Sequence, residues 1–130
     1  MATELVYLGW STVLLLVYML VPSALNAPAM DAAYLAGPRD EQRQSSDPRY
    51  GRARRALANF QETYPAFIGL ALALAFTNKT GGMGALGAAL WFWCRVGYLP
   101  IYILGIPYAR TLIWVGSLLG LGLMLVRLLG

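Results

Sequence analysis

Residues 52–67, RARRALANFQETYPAF, carry strong charge into a segment whose continuation, FIGLALALAF, is apolar. At 3.6 residues per turn, four polar side chains fall within roughly 80° of one helix face: Arg52, Arg55, Asn59 and Glu62. An acid in a helix that enters a membrane is unfavourable unless it is paired or hydrated, so Asn59 and Glu62 predict a functional site. The alternative for the arginines is a basic segment beside the membrane that only sets topology.

A second set of polar side chains lies farther along the chain. Arg95, Tyr98 and Tyr102 are spaced i, i+3, i+7 and therefore share a helix face. Arg110 lies at the start of the next apolar segment. The alternative for the tyrosines is an aromatic belt at the membrane interface, with an arginine that extends to the headgroups. The alternative for Arg110 is a topology-setting arginine at a membrane boundary.

Composition narrows the class of protein. The 130 residues are 58% hydrophobic and 12% charged, too apolar and too few to hide that surface in one soluble core. A net charge of +4 could indicate a protein that binds nucleic acid. Six of the ten basic residues, however, lie within Arg39–Arg55, where membrane topology explains them. No nucleic-acid partner is therefore predicted. With Cys94 as the single cysteine and no histidine, neither an internal disulfide nor a metal site is predicted.

The hydropathy pattern predicts an all-α fold: an integral membrane, antiparallel four-helix bundle in a single domain, 1–130. Four segments are long enough to cross a hydrocarbon core of about 30 Å, at about 5–27, 56–77, 83–103 and 108–129. Glu4 rather than basic residues precedes the first segment, and the segment exceeds the usual apolar length of a signal peptide, which disfavours cleavage. Gly116 and Gly120 form a GxxxG step that predicts a close helix contact.

Charge asymmetry predicts the orientation of the bundle. The loop at 28–55 contains six arginines, whereas the loop after the second span contains Lys79 alone. The excess of positive charge predicts that loop 28–55 and the polar site face the cytoplasm. Both termini are then expected on the opposite side of the membrane.

The run RxxRAxxNxxExxPxF at 52–67 resembles the signature of the MAPEG family, the membrane-associated proteins in eicosanoid and glutathione metabolism. The tripeptide 46–48 and the pattern Arg95-Val96 with Tyr98, Tyr102 and Arg110 resemble further parts of the family, so the resemblance covers about 37–111. It implies a homotrimer of four-helix protomers that binds glutathione between neighbouring subunits near the cytoplasmic surface.

Carried over by position, the resemblance implies a role for each candidate residue. Arg52, Arg55, Asn59 and Glu62 would hold the polar ends of glutathione, Tyr98 and Tyr102 would contribute hydroxyls or ring faces, and Arg110 with Tyr102 would act on the sulfur. Glutathione has two carboxylates and one ammonium group, which suit arginines, an amide and an acid gathered in one place. A thiol beside a cation also needs no histidine base, because the cation favours the thiolate.

The expected function is a glutathione-dependent membrane transferase, with peroxidase activity toward lipid hydroperoxides as an extension. A lipophilic electrophile would reach the thiolate from the bilayer, and membrane lipids and further copies of the chain would be the partners. The alternative is a non-enzymatic, lipid-binding scaffold of the same family, against which Arg55, Asn59, Glu62 and Arg110 argue. A small channel is disfavoured because the polar stripes cluster at one end and the first and fourth spans have no mid-membrane charge.

Overall fold

A computed structural model describes residues 1–29, 37 and 46–130, and these form four α-helices. The helices are α1 (Thr3–Asn26), α2 (Pro48–Phe76), α3 (Met83–Leu104) and α4 (Pro107–Leu129), and a 3₁₀ turn at Ala27–Ala29 follows α1. Three of them, α1, α3 and α4, are long and apolar enough to span a membrane. The helices pack against one another as a four-helix membrane bundle, as the hydropathy pattern predicts.

Helix α2 differs from the other three because its first half is polar. It begins at Pro48, so residues 48–55, which the sequence places in the loop at 28–55, are instead the first two turns of the helix. Pro48 suits the first turn, where its missing N–H needs no partner, and Asp47 caps the helix by accepting from the Arg49 backbone N–H at 3.0 Å. The side chain of Arg49 also donates to Asp47 and keeps the pKa of that carboxyl below its usual range. The remaining loop positions, 30–36 and 38–45, lie outside the described residues.

The centre of the bundle is a stack of aromatic rings from three helices. Trp91 of α3 stacks on Phe67 of α2 with a centroid distance of 4.0 Å and lies nearly parallel to Tyr64 at 5.9 Å. Tyr18 of α1 contacts Phe60 at 4.5 Å. The rings bury large apolar areas where α1, α2 and α3 meet, and this packing fixes the rotation of α2, whose opposite side carries the polar stripe.

Helices α3 and α4 approach closely enough for backbone contact. A Cβ added at Gly120 would lie 2.6 Å from the Gly87 carbonyl oxygen and 2.7 Å from the Trp91 nitrogen, and one at Gly87 would lie 2.5 Å from the Gly120 oxygen. Only glycine fits at such a contact. The GxxxG prediction is therefore correct for Gly120, and Gly116 lies against the Cys94 sulfur.

Polar side chains also close the end of the bundle that contains the amino terminus. Glu4 of α1 is fully buried, and its Oε2 accepts a hydrogen bond from the Gly81 N–H at 2.8 Å, in the turn before α3. Lys79 donates to the Leu128 carbonyl, and Arg127 donates to the Lys79 carbonyl. These bonds satisfy backbone groups at the helix ends and hold α1, α3 and α4 together opposite the polar stripe.

Candidate functional site

The polar stripe of α2 opens onto a cleft of about 490 Å³ formed with α3 and α4. Its size falls within the range of small-molecule sites. Six candidate residues come together in its wall. The lining residues are Arg55, Ala58, Asn59, Glu62, Tyr98, Tyr102, Arg110, Thr111 and Trp114.

Helical periodicity accounts for the contribution of α2. Arg55, Asn59 and Glu62 follow one another at intervals of four and three residues, so they form a row along one edge of the helix. The buried side chains of α2, among them Ala56, Phe60 and Phe67, lie on the face turned to the aromatic stack. Packing of that face therefore directs the polar row toward α4.

Tyr102 lies between the two arginines of the cleft. The guanidinium carbon of Arg110 is 4.9 Å from the centre of the Tyr102 ring, and that of Arg55 is 6.0 Å from it. Both distances are within the range of cation–π contacts. Tyr98, one turn earlier on α3, meets Tyr102 edge to face at 5.5 Å. The cleft therefore has two cations on one aromatic ring, and a hydroxyl on each tyrosine.

The ionised groups of the cleft have unused hydrogen-bonding capacity. Within the described part of the chain, neither the Arg55 nor the Arg110 guanidinium donates a hydrogen bond, and the Glu62 carboxylate accepts none. Arg55 and Glu62 are exposed, while Arg110 is half-buried. Two guanidinium groups, an amide and a carboxylate at one cleft can pair with the carboxylates and ammonium of a small zwitterion.

Arg52 lies outside this cleft although it belongs to the same sequence motif. Its Nη1 donates to the Ile103 carbonyl at 3.1 Å, near the left-handed Gly105 that ends α3. Arg52 also borders a smaller cavity of about 180 Å³ that Arg55, Tyr102 and Arg110 share. Its predicted contact with a ligand stays a prediction, and its observed contact fixes the α3–α4 connection beside Tyr102 and Arg110.

Arg95 makes contacts that the sequence did not predict. The alternative interpretation, an arginine that extends to the headgroups, is wrong because Arg95 is fully buried between α2 and α3. Its Nη1 donates to Asn59 Oδ1 at 2.7 Å and its Nη2 donates to Thr63 Oγ1 at 2.8 Å. Its guanidinium lies 5.0 Å from the centre of the Tyr98 ring. The spacing of Arg95 with Tyr98 was visible in the sequence, but its acceptors on α2 were not.

A second cavity of about 470 Å³ lies farther along the same two helices. It is apolar and runs between α2 and α4, and its lining residues are Pro65, Ala66, Gly69, Leu70, Leu121, Gly122, Leu125 and Leu128. Pro65 comes one turn after Glu62, so the surface between α2 and α4 changes from polar to apolar along the axis of α2. A ligand with a polar and an apolar part would find both environments side by side.

Comparison with known proteins agrees with the sequence motif. The model of the MAPEG family matches residues 7–130, nearly the whole chain. No curated protein and no solved structure matches the chain.

Proposed function

Since the chain belongs to the MAPEG family, we propose that it is a glutathione-dependent membrane transferase that acts on lipophilic electrophiles. One observation carries the proposal: a single cleft collects Arg55, Asn59, Glu62, Tyr102 and Arg110 on three helices. Their groups match the charges of glutathione, which has two carboxylates, one ammonium and a thiol. Family membership alone supports a role in glutathione or eicosanoid metabolism in the broad sense.

In this proposal the α2 residues bind the polar ends of glutathione. Arg55 would pair with a carboxylate, Asn59 would form a hydrogen bond through its amide, and Glu62 would accept from the ammonium group. Arg52 would add positive charge at the mouth of the cleft. Each of these groups lies on rigid helix rather than on a loop, which favours a preorganised site.

Arg110 and Tyr102 are the proposed catalytic residues. Glutathione supplies the thiol. Its thiolate would add to the electrophilic carbon of an activated alkene, whose neighbouring carbon takes up the proton. Alternatively it would attack the outer oxygen of a lipid hydroperoxide, which breaks the O–O bond and releases the lipid alcohol, and a second glutathione would convert the resulting sulfenic acid to the disulfide and water. The Arg110 guanidinium favours the thiolate by its positive charge, and its place in the first turn of α4 adds the positive end of the helix dipole. Tyr102, in contact with Arg110, would donate a hydrogen bond from its hydroxyl, and Tyr98 would supply a second ring and hydroxyl.

The apolar cavity between α2 and α4 is the proposed path for the lipophilic partner. Its α2 residues lie about one to two turns after Glu62, so an apolar chain held there would place its end near the cleft. The same cavity would serve the alternative function, a lipid-binding scaffold without catalysis. The two functions differ in whether glutathione binds.

Isothermal titration of the detergent-solubilised protein with glutathione tests the proposal. We expect saturable binding that is lost when S-blocked, esterified glutathione, which has no free carboxylates, replaces the tripeptide. Conjugation of a hydrophobic electrophile should then depend on added glutathione. An intact protein that binds lipid but shows no heat and no conjugation with glutathione would instead support the scaffold.

A further inference from the structure

Arg95 has an unusual environment for a cation. It is fully buried, no carboxylate among the described residues pairs with it, and its Nε has no hydrogen-bonding partner there. Its contacts come from three helices: Asn59 and Thr63 of α2, the Tyr98 ring of its own helix, and Tyr18 of α1, whose hydroxyl donates to the Arg95 carbonyl at 2.6 Å. A buried cation without an ion pair is unfavourable, and filling space does not require one.

Arg95 determines which way the Asn59 amide points. A guanidinium has donors only, so the group that faces it must be the amide oxygen, as the 2.7 Å contact between Nη1 and Oδ1 requires. The Asn59 NH₂ group is then turned away from Arg95. Asn59 lines the cleft, and its NH₂ has no acceptor among the described residues.

Thr63 strengthens this arrangement from the next turn of α2. Its hydroxyl accepts from Arg95 Nη2 at 2.8 Å and donates to the Phe60 carbonyl at 3.4 Å. The guanidinium is thereby fixed by both terminal nitrogens, so it cannot rotate away from Asn59 without losing a second bond. A charged donor on the oxygen also polarises the amide, which makes its N–H groups stronger donors.

From this geometry we infer that Arg95 is a positioning residue: it locks Asn59 with its oxygen inward, so that the cleft receives an amide donor for a carboxylate of glutathione. The inference rests on the proposed function. It gives a reason for a buried cation that forms no ion pair with the described carboxylates, and it assigns Asn59 the role of donor rather than acceptor. Arg95 itself does not line the cleft and acts through Asn59.

Asn59→Asp tests the inference because it moves stability and binding in opposite directions. The new carboxylate would form an ion pair with Arg95, so the melting temperature without ligand should shift upward. The cleft would lose its donor and gain a negative charge, so glutathione should bind at least about thirtyfold more weakly by titration. Asn78→Asp makes the same chemical change at the opposite end of the bundle and should leave the affinity unchanged.

Two substitutions of Arg95 give an independent measurement. Arg95→Lys keeps a charged donor for Asn59 Oδ1, so it should retain most of the glutathione affinity. Arg95→Met fills similar space but has no donor for Asn59 Oδ1, so the Asn59 amide is free to turn. The Arg95→Met variant should therefore bind glutathione about tenfold more weakly than the Arg95→Lys variant. Only variants that fold are compared. If neither Arg95 variant folds, the comparison of Asn59→Asp with Asn78→Asp tests the inference.

The outcomes separate the inference from the proposed function. A wild-type protein that does not bind glutathione would overturn both. Wild-type binding together with an Asn59→Asp variant of unchanged affinity would overturn the positioning role and leave the function intact. A lower melting temperature for Asn59→Asp would overturn the contact with Arg95 on which the inference depends.

Discussion

Arg55 and Glu62 are the charged side chains of the cleft that are both exposed and without a hydrogen-bonding partner among the described residues. They lie on the same edge of α2 as Asn59, whose amide Arg95 holds. Unpaired charges at the level of a membrane are unfavourable unless a ligand, water or another protein group pairs with them. The charges of Arg55 and Glu62 therefore favour a ligand that has both positive and negative groups.

Removing either charge should weaken glutathione binding. Arg55→Ala and Glu62→Gln each lose a charge-assisted contact in a partly desolvated cleft, which typically costs about 2 kcal/mol or more, close to thirtyfold in affinity. Titration calorimetry measures the effect. Arg54→Ala is the matched control, because Arg54 is exposed on the neighbouring face, bonds to the Tyr50 hydroxyl and does not line the cleft. Equal affinities for Arg54→Ala and Arg55→Ala would remove Arg55 from the site.

The sequence predicted which residues share a face of one helix, but it did not predict which residues of different helices make contact. Arg55, Asn59 and Glu62 follow from the 3.6-residue period, and the structure brings them to one cleft. The burial of Arg95 was missed because its acceptors, Asn59 and Thr63, precede it by more than thirty residues. A charged side chain near aromatic residues fits an interface as well as an interior, and only the packing of α2 on α3 distinguishes the two.

The contact between helices α3 and α4 sets the position of Arg110. Gly87 and Gly120 allow the two backbones to touch, and the short turn at Gly105 and Ile106 returns the chain directly into α4. Tyr102 and Arg110 face each other across this turn. The sequence predicted a close contact from GxxxG, but it could not name Gly87 as the partner, because small residues occur throughout α3.

A methyl group at Gly120 should separate the two helices. Gly120→Ala places its Cβ against backbone atoms of Gly87 and Trp91, which cannot move as a flexible side chain can, and overpacking of this kind costs about 1–3 kcal/mol. Thermal unfolding in detergent should show a lower melting temperature. Gly122→Ala on the same helix meets no atom within 4 Å and should be neutral or stabilising. If Gly120→Ala melts at the wild-type temperature, α3 and α4 are not in backbone contact.

Among the described residues, positive charge is concentrated at the end of the bundle that contains the cleft. Arg49, Arg52, Arg54 and Arg55 begin α2, whereas Lys79 and Arg127 are at the opposite end. The positive-inside tendency predicts that the cleft faces the cytoplasm and that both termini face away from it. Reporter fusions at Gly130 and within 42–46 measure this directly. A carboxyl terminus found in the cytoplasm would contradict the orientation.

We propose a homotrimer: the family resemblance implies three chains, and the exposure of the cleft adds a physical reason for a neighbouring copy. In one protomer Arg55 and Glu62 are exposed on the surface of α2. A neighbouring protomer would enclose these groups and complete the site. Mass measurement in detergent should give three chains per particle, with glutathione binding lost on dissociation. A stable monomer that binds glutathione with full stoichiometry would exclude a shared site.

We propose that Arg110 favours the thiolate of bound glutathione. A free thiol with a pKa near 8.5 is only about 3% ionised at pH 7, and lowering that pKa by about two units, worth about 2.7 kcal/mol, makes it mostly thiolate. The most direct measurement is the ultraviolet absorbance of thiolate when glutathione is added at neutral pH to wild type, Arg110→Lys and Arg110→Ala. Wild type should show strong thiolate absorbance and Arg110→Lys part of it, whereas Arg110→Ala should still bind glutathione but lose most of the signal and the turnover. Undiminished thiolate absorbance and turnover in Arg110→Ala would contradict the claim and shift the catalytic role to Tyr98 or Tyr102.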